Sequence, residues 1–161
     1  MSSLEVPAPL LSSRARGTGR QVAGYSGTPL PQKLGIKPGS RLGLFDAPDG
    51  FGVTLGALPE SVAKTNRIGG SLDVALFFVT RRAALETRFA RLAKAIAPSG
   101  SLWISWPKKS SGKKTDLDEN VVRAVGLENG LVDVKVCAVD ETWSGLKFVV
   151  RVKDRTPPRR P

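Results

Sequence analysis

The residues able to do chemistry in this chain fall into a few short stretches. Asp46 and Asp49 stand in Asp46-Ala-Pro-Asp-Gly50, directly after the apolar run Leu42–Phe45. Two carboxylates at the mouth of a strand are suited to accept hydrogen bonds from a polar ligand or to take a proton. Gly50 is the one position of that loop where a ligand could approach bare backbone. Arg81 and Lys108 follow two other apolar runs. A guanidinium beside an ammonium is chemistry for an anion such as phosphate. Tyr25 is able to donate a hydrogen bond or act as an acid, and Trp143 to stack on a base or a partner.

Other chemistries are excluded by what is missing. The chain has no histidine, which removes Ser-His-Asp and Cys-His catalysis and the usual zinc and iron sites, so no metal is expected. A general base would have to be an acid, a lysine, Tyr25 or a bound water. Cys137 is the only cysteine and sits in Val132-Asp-Val-Lys-Val-Cys-Ala-Val139. With no base or other activating neighbour evident, it reads as a small buried hydrophobe. One cysteine permits no internal disulfide, and the N-terminus shows no secretory pattern, so the expected setting is cytoplasmic. No apolar run is long enough for a membrane span.

The charge needs placing before it is interpreted. The net +11 divides into +2 on residues 1–24, +4 on 151–161 and +5 on 25–150. Just over half lies on the ends, so weak, nonspecific nucleic-acid contact through the tails is a possible consequence. Aromatic residues do not interleave with the basic clusters, as a single-strand platform would require. Lys108-Lys-Ser-Ser-Gly-Lys-Lys114 is not a P-loop, because position 107 is proline where that motif has glycine. It reads as a mobile basic loop.

These residues must be held by elements that the periodicity outlines. Residues 1–23 and 154–161 are rich in Pro, Arg, Ser or Gly without a hydrophobic period, and read as disordered tails around one domain at 24–153. Leu30–Leu34 reads as a short helix, Leu42–Phe45 as the first strand, Gly52–Pro59 as a connection and Val62–Thr65 as a weak strand. Asp73–Val79 is a continuous apolar run, as in a strand covered on both faces. Thr80 is placed to cap the next helix, whose stripe is Leu85, Phe89, Leu92, Ala93 and Ile96, with Pro98 and Gly100 closing it. Ser101–Trp106 is a further strand. A second helix begins near Asp116, with caps offered by Thr115 or Asp116 and with Leu117, Val121, Ala124 and Val125 facing inward. Val132–Val139 and Leu146–Val152 are joined by too few residues for a parallel crossover, so they must pair antiparallel. The expected fold is α/β: a reduced, doubly wound, Rossmann-like sheet ending in an antiparallel strand pair. Ligands of such sheets bind outside the carboxyl ends of the strands, which here means Asp46–Gly50, Thr80–Arg82 and Trp106–Lys109.

The terminal strand pair and the lead-in Leu34-Gly-Ile-Lys-Pro-Gly39 resemble those of class I S-adenosylmethionine methyltransferases over residues 30–153. The resemblance implies two cofactor grips, a glycine-rich loop after the first strand and an acid ending the second. Asp46-Ala-Pro-Asp-Gly50 offers one glycine, and Pro48 has no N–H. No acid ends the strand near Thr65, and about 22 residues separate Gly50 from Leu72, too few for a full helix and two more strands. No cofactor is therefore expected. The chain also resembles the bacterial domain family of unknown function numbered three-zero-five-two. That likeness is carried by Ala23–Leu30, Leu34–Gly39, Trp106–Gly112 and Leu131–Lys147, and implies no activity.

The reading that fits these features is a non-catalytic binding or regulatory module taking an anionic small molecule or nucleotide. The alternatives are a small methyltransferase-like transferase working through Asp46, Asp49, Tyr25 or Lys108, and a nucleic-acid-associated basic protein. At the rim, Arg82 is expected to pair with Glu86 and Arg81 to be solvated unless an anion engages it. Asp46 is more at home as a turn residue, and Trp143 as a plug at the end of the sheet.

Overall fold

The computed structural model describes residues 28–154. Residues 1–27, Tyr25 among them, and 155–161 lie outside them. The elements run α1 (Leu30–Leu34), β1 (Arg41–Phe45), α2 (Phe51–Leu55), β2 (Ala63–Thr65), β3 (Leu72–Phe78), α3 (Arg82–Ala95), β4 (Ile96–Pro107), α4 (Glu119–Glu128), β5 (Leu131–Ala138) and β6 (Trp143–Val150). The strands form one sheet in the order β2-β1-β3-β4-β6-β5. β2, β1, β3 and β4 are parallel, β6 is antiparallel to β4, and β5 is antiparallel to β6.

Each face of the sheet has its own core. On one, Leu85, Phe89 and Leu92 of α3 and Val122 and Val125 of α4 pack on Phe45, Phe77, Leu102, Ile104 and Phe148. On the other, Leu34 of α1 and Phe51 and Leu55 of α2 pack on Leu42, Leu76, Phe78 and Trp103. Burial on both faces is why β3 reads as an unbroken apolar run. Each fully buried Leu or Phe contributes roughly 1.5–3 kcal/mol relative to exposure. Trp103, fully buried, donates its indole N–H to the Leu34 carbonyl at 3.1 Å, which fixes the end of α1 to the sheet centre.

The helix ends differ from expectation, each for a physical reason. Thr80 does not cap α3. The first-turn amide of Arg82 instead donates to the Asp116 carboxylate at 2.7 Å, a cap supplied by a loop 34 residues away. Thr115 binds the Thr80 carbonyl through its hydroxyl, so neither Thr115 nor Asp116 caps α4. That cap is Asp118, which accepts from the Val121 amide at 2.9 Å. The rotation this imposes buries Val122 and Gly126 along with Val125, whereas Val121 is half-buried. α3 stops at Ala95, before Pro98 and Gly100, and Ile96 is already extended and opposite Leu72. The register then shifts by a loop-out of residues 97–100, and Gly100 lies against the β3 backbone. A Cβ there would stand 2.7 Å from the Leu72 carbonyl oxygen.

The expected connection after Asp46–Gly50 contains one helical turn, α2, because Phe51 and Leu55 anchor it in the core. The closing hairpin is antiparallel as expected, but its loop is tighter and Trp143 already belongs to β6. Asp140 makes this possible by accepting from the amides of Thr142 and Trp143 at 2.8 and 2.9 Å.

Candidate functional site

The carboxyl ends of β1, β3 and β4 make the rim where a ligand of this topology binds. The strand order reverses between β1 and β3, because the chain leaves β1 for β2 on one side and returns to β3 on the other. That mouth is crossed by side chains. Asp46 sits at φ +58°, and its carboxylate accepts from the Arg88 guanidinium at 2.9 Å. Arg88, projecting from α3, lies over the Phe77 ring at 4.8 Å. The two contacts place a cation and its partner across the gap between β1 and β3. Asp49 and Gly50 are exposed at the turn beyond. Gly50 has φ +82°, a conformation that glycine tolerates and that lets the chain enter α2.

At the end of β2 stand Thr65, Asn66 and Arg67, with the Arg67 amide held by the Thr65 hydroxyl at 3.1 Å. With Leu44 and Lys64 they line a crevice of about 380 Å³. Among the described residues no carboxylate lines it.

A larger opening, about 660 Å³, lies between the start of α3 and the β4–α4 loop. It is lined by Arg81, Lys109, Lys113, Lys114, Thr115 and Asp116, with Gly112 at the turn. The loop is a built structure. Lys109–Ser111 form a 3-10 turn ended by Gly112 at φ +75°. The Ser111 hydroxyl donates to the Lys108 carbonyl at 2.7 Å and accepts from the Lys113 amide at 3.2 Å. Thr115 and Asp116 tie the far side to Thr80 and Arg82 at 2.6 and 2.7 Å.

The residues singled out in the sequence are distributed unevenly around this rim. Arg81 is exposed and lines the large opening, and Arg82 is paired with Glu86 at 2.8 Å, which raises its pKa. Lys108 stands at the neck of the loop, half-buried, its amide on the Thr142 carbonyl at 2.8 Å. Its neighbour Lys109 lines the opening. Trp143 is 6% exposed and packs edge-on against Phe78 at 5.1 Å, with Phe51 on the other side of Phe78 at 4.8 Å. Cys137 is half-buried on β5, and burial raises its thiol pKa. In the sequence, Lys109, Lys113 and Lys114 read as parts of a rim or a basic loop and Asp116 as a helix cap, and none of the four stands out as a ligand-binding candidate. Their signal was the pair of lysine doublets around Gly112, a residue type that turns a chain back on itself.

No protein-family model matches the chain, and no curated protein does. Solved structures do. Magnesium protoporphyrin IX methyltransferase from Synechocystis PCC 6803 with bound S-adenosylmethionine superposes with a TM-score of 0.50 at 11% identity, over 75% of this chain and 74% of that one. The same enzyme with S-adenosylhomocysteine gives 0.50 at 12%, over 75% and 78%. A putative methyltransferase from Thermoplasma acidophilum gives 0.49 at 10%, over 81% and 77%.

The chain has a class I methyltransferase-like fold.

Within this methyltransferase-like sheet, the loop after β1 is Asp46-Ala-Pro-Asp-Gly50 and the end of β2 is Thr65-Asn-Arg67. The first supplies carboxylates where the resemblance implies backbone amides. The second supplies a cation where it implies an acid. Among the described residues no group of three His, Cys, Asp or Glu is arranged to hold a metal, and no helix is long and apolar enough to cross a membrane.

Proposed function

We propose that the chain is a non-catalytic binding or regulatory module on a methyltransferase-like sheet, and that it takes an anionic small molecule at the rim by Arg81 rather than a methyl donor between β1 and β3. The observation that carries this reading is the Asp46–Arg88 pair across that mouth, 2.9 Å between charged atoms. An adenosyl cofactor entering there would have to displace the pair. It would also meet a loop with one glycine and, at Pro48, no N–H to donate. The anionic preference is supported by the cationic lining of the larger opening.

The test is calorimetric titration of the full chain with S-adenosylmethionine, S-adenosylhomocysteine and inorganic phosphate. Neither adenosyl compound is expected to bind at millimolar concentration. Saturable binding of either one, weakened by Asp49→Ala, would overturn the reading and favour a transferase. That second reading is supported by the fold shared with a methyltransferase that carries S-adenosylmethionine. The half-buried free thiol of Cys137 supports a reducing, cytoplasmic setting. We place the chain with the bacterial family numbered three-zero-five-two on the sequence blocks named above.

A further inference from the structure

We propose that the opening lined by Arg81, Lys109, Lys113 and Lys114 binds the oligophosphate group of a small molecule, and reads its phosphates rather than its nucleoside. This rests on the reading that an anion binds at this rim, and adds the chemistry of the ligand.

Four observations support it. First, four cationic side chains face one opening of about 660 Å³, a size that holds a nucleotide. None of the four is in an ion pair among the described residues. Asp116 is the one acid of the lining among the described residues, and one of its oxygens is held by the Arg82 amide. Second, the amides of Lys114, Thr115 and Asp116 make no hydrogen bond among the described residues, although those of Lys113 and Leu117 on either side do. Consecutive unused N–H groups beside cations are the donors that a phosphate takes up. Third, the loop is already fastened by Ser111, Thr115 and Asp116, so little of it must be ordered when a ligand arrives. Fourth, no aromatic side chain among the described residues lines the opening, which leaves a base nothing there to stack on.

The charge decides between one phosphate and several. With Asp116 the lining carries a net +3, of which a single phosphate group, with roughly two negative charges near neutrality, would leave about a third uncompensated. A di- or triphosphate matches it.

The experiment is titration calorimetry of the full chain at fixed ionic strength with tripolyphosphate, ATP, adenosine, inorganic phosphate and citrate. Tripolyphosphate and ATP are expected to bind within about threefold of each other and at least tenfold tighter than phosphate, and adenosine not to bind. Arg81→Ala, and Lys113→Ala with Lys114→Ala, are each expected to weaken tripolyphosphate tenfold or more, because each removes charge-assisted bonds. Lys94→Ala, at the far end of α3, should leave affinity unchanged. All of these positions are exposed, and circular dichroism confirms that the variants fold. Citrate or adenosine binding as tightly as tripolyphosphate would overturn the oligophosphate inference and leave the anion reading standing. Failure of every anion to bind would overturn both. Salt-steep binding of a short RNA without tripolyphosphate binding would also overturn the inference and assign the surface to nucleic acid.

Discussion

Replacing Asp116 separates its two roles, capping α3 and moderating the charge of the basic opening. Its carboxylate accepts the Arg82 amide at 2.7 Å, at a helix N-terminus that carries Arg81 and Arg82 and has no acid in its first turn. Loss of a capping acceptor costs about 0.5–2 kcal/mol. Loss of negative charge beside the positive end of the helix dipole costs about 0.3–1 kcal/mol. Asp116→Ala loses both and should destabilise by about 1–2 kcal/mol, a fall in Tm of some 3–8 °C for a domain of this size. Asp116→Asn keeps an acceptor and loses only the charge, so it should fall by about a third to a half as much. Raising salt to about 1 M should bring Asn close to the wild type and leave Ala below both, since screening removes the charge effect and not the hydrogen bond. Thermal denaturation by circular dichroism at low and high salt reads all of this. Both variants should also bind tripolyphosphate more tightly than the wild type, because the sole acid of the lining among the described residues is gone. An Ala variant that melts with the wild type would refute the cap. Tighter melting of Asn than of the wild type at low salt would refute the dipole argument.

Three further outcomes follow from the packing. Gly126→Ala should destabilise, against the usual gain of about 1 kcal/mol for alanine in a helix, because its Cβ would fall 2.0 Å from the buried Phe148 ring. The overpacking costs about 1–3 kcal/mol, and Phe148→Leu in the same chain should relieve part of it in a double-mutant cycle. Ser105→Ala should be neutral or stabilise by about 1 kcal/mol in urea denaturation, because the hydroxyl is fully buried without a hydrogen-bond partner; a clear loss would mean that the hydroxyl is satisfied in solution. Lys147 is held below its ordinary pKa by burial, then by Lys135 opposite it on β5 and by Lys37. The unfolded chain binds the extra proton, so this group opposes folding below its folded pKa and the penalty disappears as pH rises toward 10.5. Lys147→Met should therefore raise Tm at pH 8 and lose that advantage above pH 10.5; an advantage independent of pH would sink the charge explanation.

How much was legible in the residues varies from place to place. The buried β3 announced itself because the unbroken apolar run of six, Val74–Val79, has no solvent face. The antiparallel closing pair followed from the length of its connection. α3 gave its inner face through Leu85, Phe89 and Leu92, and its start at Arg82 lay one turn from the strand end. Its cap was not legible, because Asp116 is brought to Arg82 by the path of another loop. The same holds for Arg88, whose place in the α3 pattern says nothing of Asp46. The lysines around Gly112 looked like a solvated run, since hydrogen bonds from Ser111, Thr115 and Asp116 hold them around one opening, and those bonds depend on where α3 begins.

The sequence by itself determined the fold class, the succession of strands and helices along the chain, the antiparallel pairing of the last two strands, and the chemistries excluded by having no histidine and a single cysteine. These depend on periodicity, connection length and residue type, all of which are local. Only the tertiary structure decided that Asp46 is answered by Arg88, that Trp143 lies inside the core, and that Arg81 shares an opening with Lys109, Lys113 and Lys114. Those facts depend on distances between residues far apart in the chain, which are fixed when two helices and a loop pack on one sheet.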